Sequence, residues 1–187
     1  MLIDLSLTID KQTVAEVMKV PNKMGHLGTH FDVMEKEFPL ECVKRVGRLV
    51  DISAVRDREV TVDDLTSPIQ QGEFVIFRTN YSIDIGYGGP NYNFKSAELS
   101  DEVVDHLLQA GVSLIGVDAA SVQKPAKHFQ VDQRCAAHNV FIIENLSNLD
   151  KLAQAADGRT FTVYCAPLNF SGLTGLPCRV VAEVAEI

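Results

Sequence analysis

Three short apolar runs constrain the fold of this 187-residue chain more than any other feature. Glu73 to Thr79 encloses Phe74-Val75-Ile76-Phe77, Val112 to Val117 closes at Asp118, and Val140-Phe141-Ile142-Ile143 stops at Glu144. Runs of this length, rich in β-branched and aromatic side chains, read as fully buried strands. Between the first two, Ser100-Asp101-Glu102-Val103 fits a helix N-cap with early carboxylates. Val103, Val104, Leu107 and Leu108 continue it as a stripe that ends at Gly111. Between the second and third, Asp132 to His138 suits one or two helical turns. Strands alternating with helices allow an α/β layered architecture. Further strands are read at Leu2 to Thr8, by alternation, at Gly47 to Ile52, and at Thr160 to Leu168 and Gly172 to Ala182 around a glycine turn. Thr61 to Leu65 reads as a short helix, and Val14 to Val20 is too mixed to assign. Asn80 to Lys95 has four glycine or proline positions and three tyrosines without periodicity. It reads as a long loop, either a lid or a plain surface loop ordered by a partner subunit. No linker or repeat divides the chain, and 46% hydrophobic content over this length supports one core, so a single domain over 1–187 is expected.

The chemistry concentrates in Gly25-His26-Leu27-Gly28-Thr29-His30-Phe31-Asp32. A helix would bring His26 and His30 to one face but turn Asp32 away, and Gly28 and Thr29 are poor interior helix formers. A loop or strand end pivoting on Gly28 aims two imidazole nitrogens and one carboxylate at a single point. That donor set suits Zn²⁺ or Mn²⁺. Glu144 is the next candidate, because a carboxylate closing an apolar strand is costly to bury unless it is paired or metal-bound. It can act as a base or as an additional ligand. Asp118, at the end of another buried strand, can orient a ligand histidine or cap the next turn. His106 reads as a surface residue.

A formal charge of −8 argues against nucleic acid and anionic membrane as partners and favours a small-molecule substrate. The four cysteines form no Cys-x-x-Cys pair, which suits reduced thiols in the cytoplasm. No apolar stretch reaches membrane-spanning length. There is no Gly-x-Ser-x-Gly elbow and no glycine-rich phosphate loop opening a helix.

His26-x-Gly28-Thr29-His30-x-Asp32 resembles the signature of the cyclase family, whose best-known members are bacterial kynurenine formamidases and whose relatives include isatin hydrolases. Asp4-Leu5-Ser6, the turn Gly116-Val117-Asp118-Ala119-Ala120-Ser121, the strand end Glu144-Asn145-Leu146 and Gly175-Leu176-Pro177-Cys178-Arg179 resemble other stretches of that family. The family signature continues x-Pro-x-His, where this chain has Met34 and Lys36. A family histidine twelve residues before the strand-end glutamate is replaced by Asp132, flanked by His128 and His138. The resemblance implies a single-domain fold with a central mixed sheet flanked by helices, assembled as a homodimer or homotetramer. It implies one divalent ion (Zn or Mn) on His26, His30, Asp32 and Glu144, and an arylformamidase-like hydrolase of a small amide, formamide, ester or lactone. Lys36 and Asp132, opposite charges where two histidines are missing, are expected to pair in place of a second metal, with Lys36 clamping the developing oxyanion beside the base Glu144. The alternative reading is a diverged member that binds a small ligand or partner without catalysis.

Overall fold

The computed structural model describes residues 1–89, 91–92 and 98–186. In chain order its regular elements are β1 (Leu2–Asp4), α1 (Lys11–Val17), β2 (His30–Asp32), β3 (Lys44–Asp51), β4 (Phe74–Arg78), α2 (Tyr81–Asp84) and α3 (Asp101–Ala110). They continue with β5 (Leu114–Val117), α4 (Pro125–Ala137), β6 (Phe141–Glu144), α5 (Leu149–Ala156), β7 (Phe161–Pro167) and β8 (Gly175–Glu183). One sheet takes all eight strands in the order β1-β8-β2-β6-β5-β4-β3-β7, and a further β7–β8 pairing closes it into a barrel. The expected mixed sheet with flanking helices is present, and its closure is the added finding. β3, β4, β5 and β6 run parallel, and the other pairings are antiparallel.

The apolar runs owe their composition to burial on both faces. Phe74, Ile76, Leu114, Phe141 and Ile143 point into the barrel with Phe31, Val163 and Val180. Val75, Phe77, Ile115, Val117 and Ile142 point outward beneath Val103, Val104 and Leu107 of α3 and Val131 and Cys135 of α4. Period-2 alternation thus serves two cores at once. Ser100 caps α3 through Val103 N and Gly111 ends it in the left-handed conformation, as its sequence predicts.

Several boundaries differ from expectation. β1 stops at Asp4 because the Asp4 carboxylate accepts from Ser6 N and turns the chain. Thr61 to Leu65 forms one 3-10 turn, Val62–Asp64, with a reciprocal Thr61–Asp64 capping box. The helix expected only at Asp132 to His138 begins at Pro125, whose fixed φ suits a first helical position. α5 lay unassigned, although Leu149, Leu152 and Ala156 share one buried face. The loop from Asn80 opens with α2, and Pro90 and residues 93–95 of it lie outside the described residues. Among the described residues no helix is long and apolar enough to cross a membrane.

Candidate metal centre

β2 supplies the heart of the site by simple alternation. His30 and Asp32 face one way, and Phe31 between them faces the barrel core, fully buried. Register places His30 directly opposite Glu144 on β6, so that side chain joins the same face. His30 Nε2 lies 3.6 Å from Asp32 Oδ1 and 3.5 Å from Glu144 Oε2. The other ring nitrogen, Nδ1, is 2.8 Å from the Gly28 carbonyl. A carbonyl only accepts, so Nδ1 carries a proton, and in the neutral ring Nε2 turns a lone pair into the site.

His26 reaches the same point from the end of a 3-10 turn, Pro21–His26. Two glycines allow it to do so. A Cβ on Gly25 would fall 2.4 Å from the Gly175 carbonyl oxygen, and one on Gly175 would fall 2.8 Å from the His26 ring. Backbone-to-backbone contact at this distance is open only to glycine. Thr174 Oγ1 sits 2.9 Å from His26 Nε2, and on the other side of the ring Nδ1 is 3.0 Å from His30 Nε2 and 3.2 Å from Asp32 Oδ1. Gly28, with φ of +65°, makes the turn between the two histidines.

α4 completes the site from the opposite side. His128 and Asp132, four apart on one helical face, converge on Glu144. His128 Nε2 lies 3.1 Å from Asp132 Oδ2 and 3.0 Å from Glu144 Oε1. The distances are short, yet Glu144 Oε1 has no aligned hydrogen bond. Four buried side-chain polar atoms among the described residues lack a hydrogen-bond partner, and three of them are Asp32 Oδ2, Asp132 Oδ1 and Glu144 Oε1. Buried carboxylate oxygens left without donors are costly, and atoms that approach each other without hydrogen-bond alignment are aimed at a common point between them. Two overlapping donor sets result: His26, His30 and Asp32, and Asp32, His128, Asp132 and Glu144. Within each set the ligand atoms lie within 4.8 Å of one another. Imidazole nitrogens with carboxylate oxygens in such numbers fit a divalent cation, and Asp32 belongs to both sets.

Without a cation the same groups neutralise one another. His128 is pushed up to about 11 by the Asp132 and Glu144 carboxylates beside it. Burial opposes the charged form of His30, but Asp32 and Glu144 outweigh it and hold the ring up to about 9. Glu144 is pushed up to about 8 and Asp132 to about 6, by burial first and then by Asp32. Asp32 stays well below the usual carboxylate range, because the imidazoles of His30 and His26 overcome its burial.

Hydrogen bonds beyond the ligands tie the centre to its surroundings. Asn145 Nδ2 donates to the Gly28 carbonyl at 3.0 Å, and its Oδ1 accepts from Tyr92 at 2.5 Å. Tyr87 Oη accepts from Gly28 N at 2.9 Å. The conformation of the His26–His30 turn is thereby fixed from two sides.

Lys36 requires correction. It is exposed on the turn after β2 and makes no ion pair among the described residues, so it neither meets Asp132 nor faces the centre. His128 stands where Lys36 was expected, because the helix begins at Pro125 and carries His128 to the same face as Asp132. The i, i+4 spacing was the available signal. Asp118 caps a turn, though the one after β4 rather than its own: it accepts from Thr79 N, Thr79 Oγ1 and Asn80 N, and among the described residues it has no hydrogen bond to a ligand histidine.

A family model described as "Putative cyclase" matches residues 3–124. The chain belongs to the cyclase family. Three solved structures share the cyclase-family fold seen here. "The Structure Of Potential Metal-Dependent Hydrolase With Cyclase Activity" is 23% identical with a TM-score of 0.78, covering 100% of this chain and 99% of that one. Isatin hydrolase A from Ralstonia solanacearum is 22% identical with a TM-score of 0.74, covering 99% and 92%. The predicted metal-dependent hydrolase from Bacillus stearothermophilus is 21% identical with a TM-score of 0.74, covering 97% of each. No curated protein matches the sequence.

Proposed function

We propose that this cyclase-family chain is a divalent-metal-dependent hydrolase of a small amide, formamide, ester or lactone. The observation that carries the reading is the convergence of three buried carboxylate oxygens that lack an aligned hydrogen bond with three imidazoles beneath an open cavity. The names of its structural relatives, metal-dependent hydrolases and isatin hydrolase, point the same way. His26, His30 and Asp32 would hold one ion, of zinc or manganese. The overlapping set through Asp132, His128 and Glu144 has enough donors for a second. A divalent cation at such a site lowers the pKa of a water and polarises a carbonyl.

The protein's own groups supply the proton traffic. Glu144 Oε1, buried and without an aligned donor, accepts a proton inside the site. With only the first ion held, His128 Nε2, 3.0 Å away on a ring 36% exposed, takes that proton while the other ring nitrogen releases one toward solvent. Asp132, 3.1 Å from the same nitrogen, keeps the ring turned toward Glu144. Tyr87 and Tyr92 line the cavity and shield the reacting carbonyl from bulk water.

His128 brings to the site an imidazole that the signature lacks, having Lys36 in place of the family histidine, and so weakens the reading of a binder without catalysis. The decisive test is metal analysis of protein purified without chelator, followed by assays on N-formylkynurenine, isatin and simple lactones. Turnover of at least one, lost on chelation and restored by Zn²⁺ or Mn²⁺, is expected. Turnover indifferent to chelation, or none by metal-loaded protein, overturns the proposal.

A further inference from the structure

The cavity over the metal centre, about 560 Å³, holds far more than a water and a scissile bond. Its walls are divided chemically. Tyr87 and Tyr92 give an aromatic side, their ring centroids 5.5 Å apart. Ser121 and Gln123 give neutral polar groups, and Glu144 also lines the cavity. Among the described residues one lining residue bears a fixed positive charge: Lys23. It sits on the Pro21–His26 turn, three residues before His26, so the element that delivers a metal ligand also sets the place of this cation. Lys23 is exposed and forms no ion pair among the described residues, although the chain carries 25 acidic against 17 basic residues. Its ammonium is therefore free to meet a charge brought by a ligand.

Building on the hydrolase reading, we propose that Lys23 selects substrates that carry a carboxylate remote from the scissile carbonyl. With the carbonyl at the metal centre, an acidic group at the far end of the molecule meets Lys23 at the cavity wall. A neutral isostere leaves the ammonium in water. The charge also steers anions toward a site on a protein whose net charge of −8 otherwise repels them. The substrate class is thus an acyl compound or lactone of a small acid rather than a neutral one.

The test separates this inference from the hydrolase reading by measuring binding. Succinic, glutaric and adipic monohydroxamates, which chelate metal at one end and carry a carboxylate at the other, are titrated calorimetrically into Zn²⁺- or Mn²⁺-loaded protein beside their ω-carboxamides. Metal content is measured for every sample. At least one acid should bind about three- to fivefold more tightly than its amide at low salt, the upper range for an exposed ion pair. The gap should close in Lys23→Met, persist in Lys23→Arg, and shrink as salt is added. Equal affinity of every acid and its amide in the wild type, or a gap that survives in Lys23→Met, overturns the role of Lys23 and leaves the hydrolase reading standing. Failure of the protein to hold metal or any hydroxamate overturns the hydrolase reading, and this inference with it.

Discussion

The two donor sets that meet at Asp32 are built in opposite ways. His26, His30 and Asp32 lie within seven residues, on one turn and the strand it feeds, and two of the three are almost fully buried. Their imidazoles are held from behind, by Thr174 Oγ1 at Nε2 of His26 and by the Gly28 carbonyl at Nδ1 of His30. His128, Asp132 and Glu144 come from a helix and a strand, and among the described residues nothing hydrogen-bonds the far side of the His128 ring. The comparison teaches that one half is rigid by local construction. The other depends on α4 docking against β6.

The largest effect is expected at the shared residue. Asp32→Asn keeps the shape but removes the anion common to both sets, and it should leave the purified protein nearly metal-free by elemental analysis. Retention of even one full equivalent would show that the sets do not share Asp32.

Single-histidine variants should divide the site. His30→Ala is expected to remove the ion of the first set and the thermal stabilisation by Zn²⁺ or Mn²⁺, while His128→Ala should spare that stabilisation and lower the stoichiometry by one. If the two variants lose the same metal, the site has one compartment.

The pH dependence should separate the sets next. A bound cation requires deprotonated ligands, so affinity rises with pH wherever the metal-free protein still holds their protons. At pH 7 the first set must release the proton of His30, held up to about 9. The second must release those of His128, at about 11, and Glu144, at about 8. Each displaced proton contributes roughly tenfold in affinity per pH unit. Calorimetry in buffers of different ionisation enthalpy should therefore show more protons released by the second ion, and a steeper rise in its affinity between pH 6 and 7.5. Equal release by both ions would contradict the asymmetry.

A smaller change is expected from Thr174→Val, which removes the partner of His26 Nε2. First-set affinity should fall about tenfold, the low end for groups that orient a ligand, with the second set unmoved. Least of all, Lys36→Ala should change metal content and activity negligibly and stability by less than about 0.5 kcal/mol, since its side chain is exposed and makes no ion pair among the described residues.

What could be read before the fold was known follows the same division. The compact His26–Asp32 motif was legible because all three donors are neighbours in sequence. Glu144 was legible because a carboxylate ending an apolar strand needs a reason. Short apolar runs rich in β-branched and aromatic side chains and the Ser100–Gly111 caps likewise announced β4, β5, β6 and α3. The role of His128 was obscured by a misplaced helix start. Once the helix begins at Pro125, the histidine and Asp132 fall on one face, but counting back from Glu144 along the chain could not show that. Barrel closure was hidden for a different reason. It depends on β8 pairing with β7 on one edge and with β2 and β1 in succession on the other, a long-range choice that no local pattern encodes.

That last strand also sets the order of events in biosynthesis. Every metal-ligand candidate, from His26 to Glu144, has left the peptidyl transferase centre before Thr174 and Gly175 are made. Yet Thr174 fixes the ring of His26, and Gly175 packs against the backbone of Gly25. A nascent chain complete through β6 carries all the donors and still lacks the backbone contact that seats the first of them. Seating of the first donor therefore waits for β8: closing the barrel and completing this donor set are one step.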